Sequence, residues 1–362
     1  MLTAVILLAL VSPCPAAAQS LPKIRMAYTS IAIQFTPVYL MKELDLPRKQ
    51  GLDVEVLMIP VSSRAVQSAL AGEVQFMTSG GVANINANMA GADFVGITST
   101  INTLVYKILA QPSIKEPGML RGKKIAISRI GGVSDFSVRF GLDRWGLVPD
   151  KDAALIQVGG DPEALLALQN KLVDAAALSE PFATMAQRDG YPVIADLSRL
   201  NIPFTHHGIG TRKLLIHDRR DIVVRFLRSY LEGIYLFKTN RELSLKTLQK
   251  VARLSDLSVM QSIYDEYSQR LMPAVPYPTP AGIQTIIDQL AKTRPQATQL
   301  EDFEGKGIVN GIPKVGRVFY SSRDMYRLKG ILLFMSRGLT LAEAQLRVDH
   351  PVEESSAAES RR

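Results

Sequence analysis

Two periods alternate along the first half of the chain. Lys23–Tyr28 (KIRMAY), Leu52–Ile59 (LDVEVLMI) and the run VQFM ending at Met77 are short and apolar enough to be strands. Each precedes a stretch with helical spacing: Phe35–Leu44, about Ser63–Ala71, and Val82–Ala90. Helical stretches begin after Ser, Thr or Asp and stop at glycines such as Gly72 and Gly91, as capping requires. Asp93–Ser99 (DFVGITS) ends this first set as another strand. A second set opens near Leu104–Ala110. It continues through a strand at Lys123–Ser128, a helix from Ser134 to Gly146, a strand at Ala153–Val158, a helix at Asp161–Lys171 and a strand at Leu172–Leu178. Asp161 is expected at the N-cap of its helix, with Pro162 at the first helical position. Such repeated β-α-β units predict an α/β fold of mainly parallel sheets with helices on both faces.

Beyond Thr211 the alternation stops. Asp221–Lys238 reads as a long amphipathic helix, followed by helices near Glu242–Ala252, Leu257–Gln269 and Pro280–Lys292. Phe226, Leu227, Tyr230, Leu231 and Ile234 recur at helical spacing and are expected to face a core.

The chain ends change the picture more than the composition does. Leu2–Val11 is apolar apart from Thr3, too short to span a bilayer, and is followed by the small residues Ala16–Ala18. Residues 1–18 therefore read as an export signal cleaved after Ala18, and the mature chain is expected in the periplasm. The basic start usual in such signals is missing, since no Lys or Arg precedes Lys23. Cys14 is the single cysteine, and Pro13 before it fits lipid attachment poorly. Removing the signal removes every thiol, and with it any disulfide, cysteine nucleophile or cysteine metal site. Residues 321–350 form an extension with no assigned role, and 351–362 are polar enough to be expected disordered. The net charge of +8 is spread among acidic residues and Trp145 is the only tryptophan, so no basic-aromatic stripe for nucleic acid exists. That balance points instead to small anions or an acidic membrane surface.

The segments KQGLDVEVLMI, SALAGEVQFMTSGG, MAGADFVGITST, LRGKKIAIS and LQNKLVDAAALSEP then stand in the order and spacing of a known group. Over about Lys23–Lys292 the chain resembles the periplasmic solute-binding proteins of ABC importers. It is most similar to the nitrate/sulfonate/taurine type, which is related to binders of the thiamine pyrimidine precursor. The resemblance implies a two-lobed periplasmic-binding-protein fold of type II with the ligand cleft between lobes. Lobe 1 would hold residues 21–103 plus 210–320 and lobe 2 residues 104–209, with crossovers near Thr103–Ala110 and Phe204–Gly210.

In such sheets ligands sit off the carboxyl ends of strands, where helices begin. The turns there supply the candidate site: Ser30, Gln34, Ser79, Gly80 and Gly81 from lobe 1, Arg129, Gly131, Gly132, Ser134 and Glu180 from lobe 2, and His206 and His207 from the crossover. Gly80–Gly81 and Gly131–Gly132 each open a helix and offer bare N–H groups to an anion. Either pair also reads as a plain tight turn. Arg129 is the cation beside the second turn, or a surface arginine. Glu180 either reaches the cleft or stabilises a helix start capped by Ser179 while pointing to water, the reading the sequence favours. His206 or His207 would stack on or hydrogen-bond a ligand. No metal site is expected, because no third His, Cys or close carboxylate completes one. Phosphate-loop, H-E-x-x-H and G-x-S-x-G motifs are absent. The expected protein is therefore a binder and not an enzyme, without cofactor, monomeric, taking a small sulfonate- or nitrate-like anion by hinge closure and passing it to an ABC permease. A pyrimidine or thiamine-precursor binder and a ligand-sensing receptor subunit are the alternatives, with an enzyme on the same fold behind them.

Overall fold

The computed structural model describes residues 20–59, 62–252 and 257–293. The export signal, the extension 321–350 and the tail 351–362 lie outside the described residues.

The first sheet is built from β1 (Lys23–Tyr28), β2 (Asp53–Met58), β3 (Phe76–Ser79), β4 (Phe94–Gly96), β5 (Ile101–Thr103) and β11 (Pro203–Arg212), in the order β2-β1-β3-β11-β4 with β5 also on β11. The second holds β6 (Lys107–Ala110), β7 (Lys123–Ile127), β8 (Ala153–Gln157), β9 (Ala175–Leu178) and β10 (Val193–Asp196), in the order β10-β6-β9-β7-β8. Strands joined by helices pair in parallel, as β1 does with β2 and β3, and β7 with β8 and β9. Both sheets are mixed, however. β11 runs antiparallel to β3, β4 and β5, and β6 antiparallel to β9 and β10. The physical reason is that a chain passing from one sheet to the other re-enters without a helical crossover, which only parallel neighbours require.

The helices are α1 (Thr36–Glu43), α2 (Leu46–Lys49), α3 (Ser62–Leu70), α4 (Gly81–Met89), α5 (Val133–Arg144), α6 (Asp161–Gln169), α7 (Phe182–Arg188), α8 (Lys213–Asp218), α9 (Arg220–Thr239), α10 (Arg241–Ala252), α11 (Leu257–Asp265) and α12 (Pro280–Thr293). The apolar stripe of α9 is buried as its spacing dictates, and Phe226 stacks on Phe76 with centroids 3.8 Å apart. Asp161 is the first residue of α6 and not its N-cap. Gly160 takes that place, its N–H donating to Glu163 Oε2 at 2.7 Å. Past Asp265 the predicted helix widens into a π-helical turn, Glu266–Leu271.

The chain leaves the first sheet after Thr103 and enters the second at Lys107; it leaves the second after Asp196 and returns at Pro203. The segment read as a crossover from Phe204 to Gly210 is thus most of a ten-residue strand, buried along nearly its whole length. It fits because Gly208 lets two chains touch: a Cβ there would stand 1.9 Å from the Thr98 carbonyl oxygen. One apolar cluster bridges the lobes, joining Val82 and Ile85 of α4, Phe136 of α5, Phe204 of β11 and Ile283, Ile286 and Ile287 of α12. At its edge Asp143 of α5 accepts from Gln289 Nε2 at 3.1 Å and Lys292 Nζ at 2.9 Å, both on α12.

Candidate functional site

The turn after β3 comes up against the start of α5, which follows β7, with β11 alongside. The two glycine turns nearly meet. A Cβ on Gly80 would lie 2.6 Å from the His206 carbonyl oxygen and 3.3 Å from Val133 Cγ2 at the start of α5. Asn86 of α4 also donates to the Gly131 carbonyl at 3.4 Å. These contacts join the two lobes at the turns.

On the lobe 1 side, Gln34 and Ser79 are buried, and Gln34 Oε1 and Ser79 Oγ have no hydrogen-bond partner within the protein. Gly80 precedes the first turn of α4, which no side chain caps, and Gly81 begins it. Asn84 Oδ1, on the same turn of α4, is buried and equally unpartnered. Ser30 is exposed, and its carbonyl accepts from Tyr39 Oη at 3.0 Å.

Lobe 2 differs from the expectation of a second bare helix start. The Gly131 N–H donates to Asp135 Oδ2 at 2.8 Å, and the Gly132 N–H donates to the Arg129 carbonyl at 3.0 Å. Asp135 lies in the first turn of α5 and is itself held by Arg139 at 2.8 Å, so a carboxylate already occupies the electropositive end. The Ser134 hydroxyl is likewise used inside the lobe, 2.6 Å from Ser128 Oγ and accepting from the Ser128 N–H at 2.9 Å. Arg129 is exposed.

The favoured reading of Glu180 as a water-facing residue beside a Ser179 cap is corrected by the structure. Glu180 is 2% exposed, with Oε1 on Lys107 Nζ at 2.6 Å and Oε2 accepting from the Thr184 N–H at 3.0 Å. Burial works against the Lys107 ammonium, and the Glu180 carboxylate outweighs it and raises its pKa. Ser179 does not cap α7; its N–H donates to Asp161 Oδ2 at 3.0 Å and its hydroxyl donates to the same oxygen. Burial raises the Asp161 carboxyl above the usual range despite those two bonds.

Successive strand residues face opposite ways, and the two histidines divide the space accordingly. His206 packs toward Tyr106 of the outgoing crossing, centroids 5.8 Å apart, and its Nδ1 has no protein partner. His207 meets the edge of Phe35 at 4.4 Å and shares a 2.9 Å hydrogen bond with Thr100 through Nδ1, leaving Nε2 without a protein partner. Burial lowers their pKa values to about 4 for His206 and, with His206 adding repulsion, to about 3 for His207. Both rings are neutral at pH 7.

Sequence reasoning placed Asn84 and Thr205 in the turns expected to border the cleft without singling them out, and did not single out Tyr106, Lys107 or Tyr267. Lys107 stands opposite Leu178 only because β6 pairs antiparallel with β9, a pairing that spacing does not reveal. Tyr267 comes from the π-helical turn, a feature common at functional sites. Among the described residues no group of three His, Cys, Asp or Glu is arranged to hold a metal ion, and no helix is long and apolar enough to cross a membrane.

A protein of Brachyspira hyodysenteriae, named as an ABC transporter periplasmic binding protein, is 27% identical over 213 residues, covering 54% of this chain. The chain spans about 60% of the length of that relative. The structure of the periplasmic aliphatic sulphonate binding protein SsuA from Escherichia coli superposes with a TM-score of 0.66 at 22% identity, covering 80% of this chain and 98% of that one. The periplasmic nitrate-binding protein NrtA from Synechocystis superposes with a TM-score of 0.67 at 13% identity, covering 83% of this chain and 89% of that one. These likenesses give the two-lobed periplasmic-binding-protein fold. The sequence profile of the NMT1/THI5-like family matches residues 32–241, over half the chain, and the chain belongs to that family.

Proposed function

We propose that this chain is the extracytoplasmic substrate-binding component of an ABC importer, which captures a small anionic solute by closing two lobes over it. The observation that carries this reading is the set of buried, unpartnered polar atoms where the lobes meet: Gln34 Oε1, Ser79 Oγ, Asn84 Oδ1, Thr205 Oγ1 and His206 Nδ1. Groups so buried carry a desolvation penalty unless something bonds to them. A ligand bridging the lobes supplies those bonds only in the closed form, and so favours closure.

Within the proposed site, Ser30, Gln34, Ser79, Gly80, Gly81, Glu180, His206 and His207 belong to the ligand wall, with Asn84, Thr205 and Tyr267 added. Arg129, Gly131, Gly132 and Ser134 shape the lobe 2 turn. The anionic group of the ligand meets the uncapped start of α4, since the start of α5 already holds Asp135. Sulphonate and nitrate, named for the two structural neighbours, are anions of that kind. The lobes are residues 21–103 with 210–320, and 104–209, and the protein acts as a periplasmic monomer that presents its closed form to a membrane permease.

A thermal-shift screen of the chain from Gln19 against sulfonates, nitrate, carboxylates and pyrimidines tests this. Ligand at about 100 times its Kd adds about 2.7 kcal/mol to the native state. A saturable shift accompanied by a smaller radius of gyration in X-ray scattering supports capture by closure. Shifts from pyrimidines but from no anion would overturn the anionic class.

A further inference from the structure

We propose that the lobes carry a clasp of their own: α11 with its π-helical turn, and α12, reach from lobe 1 onto lobe 2 and hold part of the ligand-free population closed. The proposal rests on the proposed capture between two lobes and adds what keeps them together before a solute arrives.

One arm is α11 and the turn that continues it. At its start the Ser258 hydroxyl accepts from Arg188 Nη1, at the end of α7, at 2.8 Å. At its far end Arg270 donates twice to Ser198, from Nη1 to the carbonyl at 3.3 Å and from Nη2 to the hydroxyl oxygen at 3.2 Å. Ser198 lies in the short 3-10 turn Leu197–Leu200 on the returning connection. Donor and acceptor are both held in place. Ser198 is 3% exposed, and its N–H and hydroxyl donate to Asp196 Oδ1 at 3.0 and 2.7 Å. Arg270 is paired with Glu266 at 2.5 Å, and Lys238 of α9 ties down the π-helical turn, donating to the carbonyls of Ser268 and, at 2.7 Å, Met272. A planar guanidinium facing two fixed acceptors loses little freedom when it bonds to them.

The other arm is α12. Its start lies directly on β11, since a Cβ on Gly282 would stand 2.9 Å from the Thr205 nitrogen. Its middle meets the first turn of α4, where a Cβ on Gly81 would stand 2.5 Å from Ile286 Cδ1. Its end bonds to lobe 2 through Gln289, Lys292 and Asp143 of α5. The polar contacts of both arms with lobe 2 use no residue of the proposed ligand wall. They need no solute, so they bias the lobes toward closure beforehand, and a ligand adds its own bonds to that bias. Contacts of this kind at partly exposed sites are individually weak, which leaves the lobes free to open and admit a solute.

The test reads lobe separation in the chain from Gln19, which has no cysteine of its own. Met58→Cys in lobe 1 and Leu166→Cys in lobe 2, 44% and 56% exposed in the native residues, carry spin labels for double electron–electron resonance. Without ligand, a population is expected at the separation seen in this structure. The variant Asp143→Ala/Ser258→Ala/Arg270→Gln, checked for an unchanged fold by circular dichroism, should lower the closed-to-open ratio about ten-fold. Asp143→Ala/Ser258→Ala, which leaves the π-helical turn alone, should lower it less. A ligand-free chain found only at longer separations overturns the clasp, and so does a triple variant that keeps the wild-type ratio. Sulfonates and nitrate are then added to the triple variant. Return to the short separation with any of them supports capture; a variant that stays open with all of them overturns capture and leaves the clasp standing.

Discussion

Lys107 Nζ sits 2.6 Å from Glu180 Oε1, and the pair joins the first strand of the second sheet to the turn that starts α7. Both charges are largely out of water, so each depends on the other more than a surface pair would. The pair ties the start of β6 to the turn that follows β9.

Removing one partner should therefore be worse than removing both. Lys107→Met leaves Glu180 buried and uncompensated, and is expected to destabilise the fold by about 3 kcal/mol or more. Lys107→Met combined with Glu180→Leu should recover part of that loss. Urea denaturation of the single and double variants measures both values; a double variant as unstable as the single one would show that packing, and not the unpaired charge, sets the loss.

Close approach at Gly208 makes a second prediction. A Cβ there would stand 1.9 Å from the Thr98 carbonyl oxygen and 3.0 Å from the Ser99 Cα. Backbone cannot swing aside as a side-chain tip can, so Gly208→Ala should lower stability by about 1–3 kcal/mol. The melting temperature reads this directly, and a change within error would mean that the Thr98–Ser99 link and β11 separate more readily than their packing indicates.

Acid should weaken the protein through its two central histidines. Their folded pKa values are lowered to about 4 and about 3, while unfolded histidine titrates near ~6.5. The unfolded chain then binds protons that the native one does not. Stability from these groups is complete above about pH 6.5 and falls as pH drops toward about 4, by ~1.4 kcal/mol per pH unit for each ring. The variant His206→Gln/His207→Gln should show a shallower slope than wild type between pH 4 and 6, measured by denaturation at each pH. Equal slopes would place the titrating groups elsewhere.

Closure should respond to the contact between α5 and α12. Asp143→Ala removes the acceptor of both Gln289 and Lys292. The lost pair is partly exposed and worth about 0.5–1 kcal/mol, so ligand affinity should fall by a few-fold and the ligand-free chain should expand in X-ray scattering. An unaltered radius with unaltered affinity would confine the hold between the lobes to the apolar cluster around Phe136 and Ile286.

Much of the molecule follows from local pattern. Apolar spacing placed β1, β2 and α9 within a residue or two, since strands and amphipathic helices declare themselves through periods that depend only on neighbouring residues. The glycine stops of α3 and α4 were equally plain. The order of five segments was enough for the family.

What failed depended on partners distant in the chain. Phe204–Gly210 reads as a link, but becomes the buried strand β11 because β3, β4 and β5 stand ready to bond it. Ser134 and Gly131 look available in sequence, yet Ser128 and Asp135 satisfy them locally. Glu180 looks like a solvated helix start until Lys107, 73 residues earlier, arrives beside it. By itself the sequence determined the α/β architecture and the two sets of units, carried by short-range periodicity and capping. The tertiary structure alone decided which polar groups at the strand ends stay unpaired and which are satisfied from within, because hydrogen bonding and charge pairing are set by which chains the fold brings within 3 Å or so, not by their order.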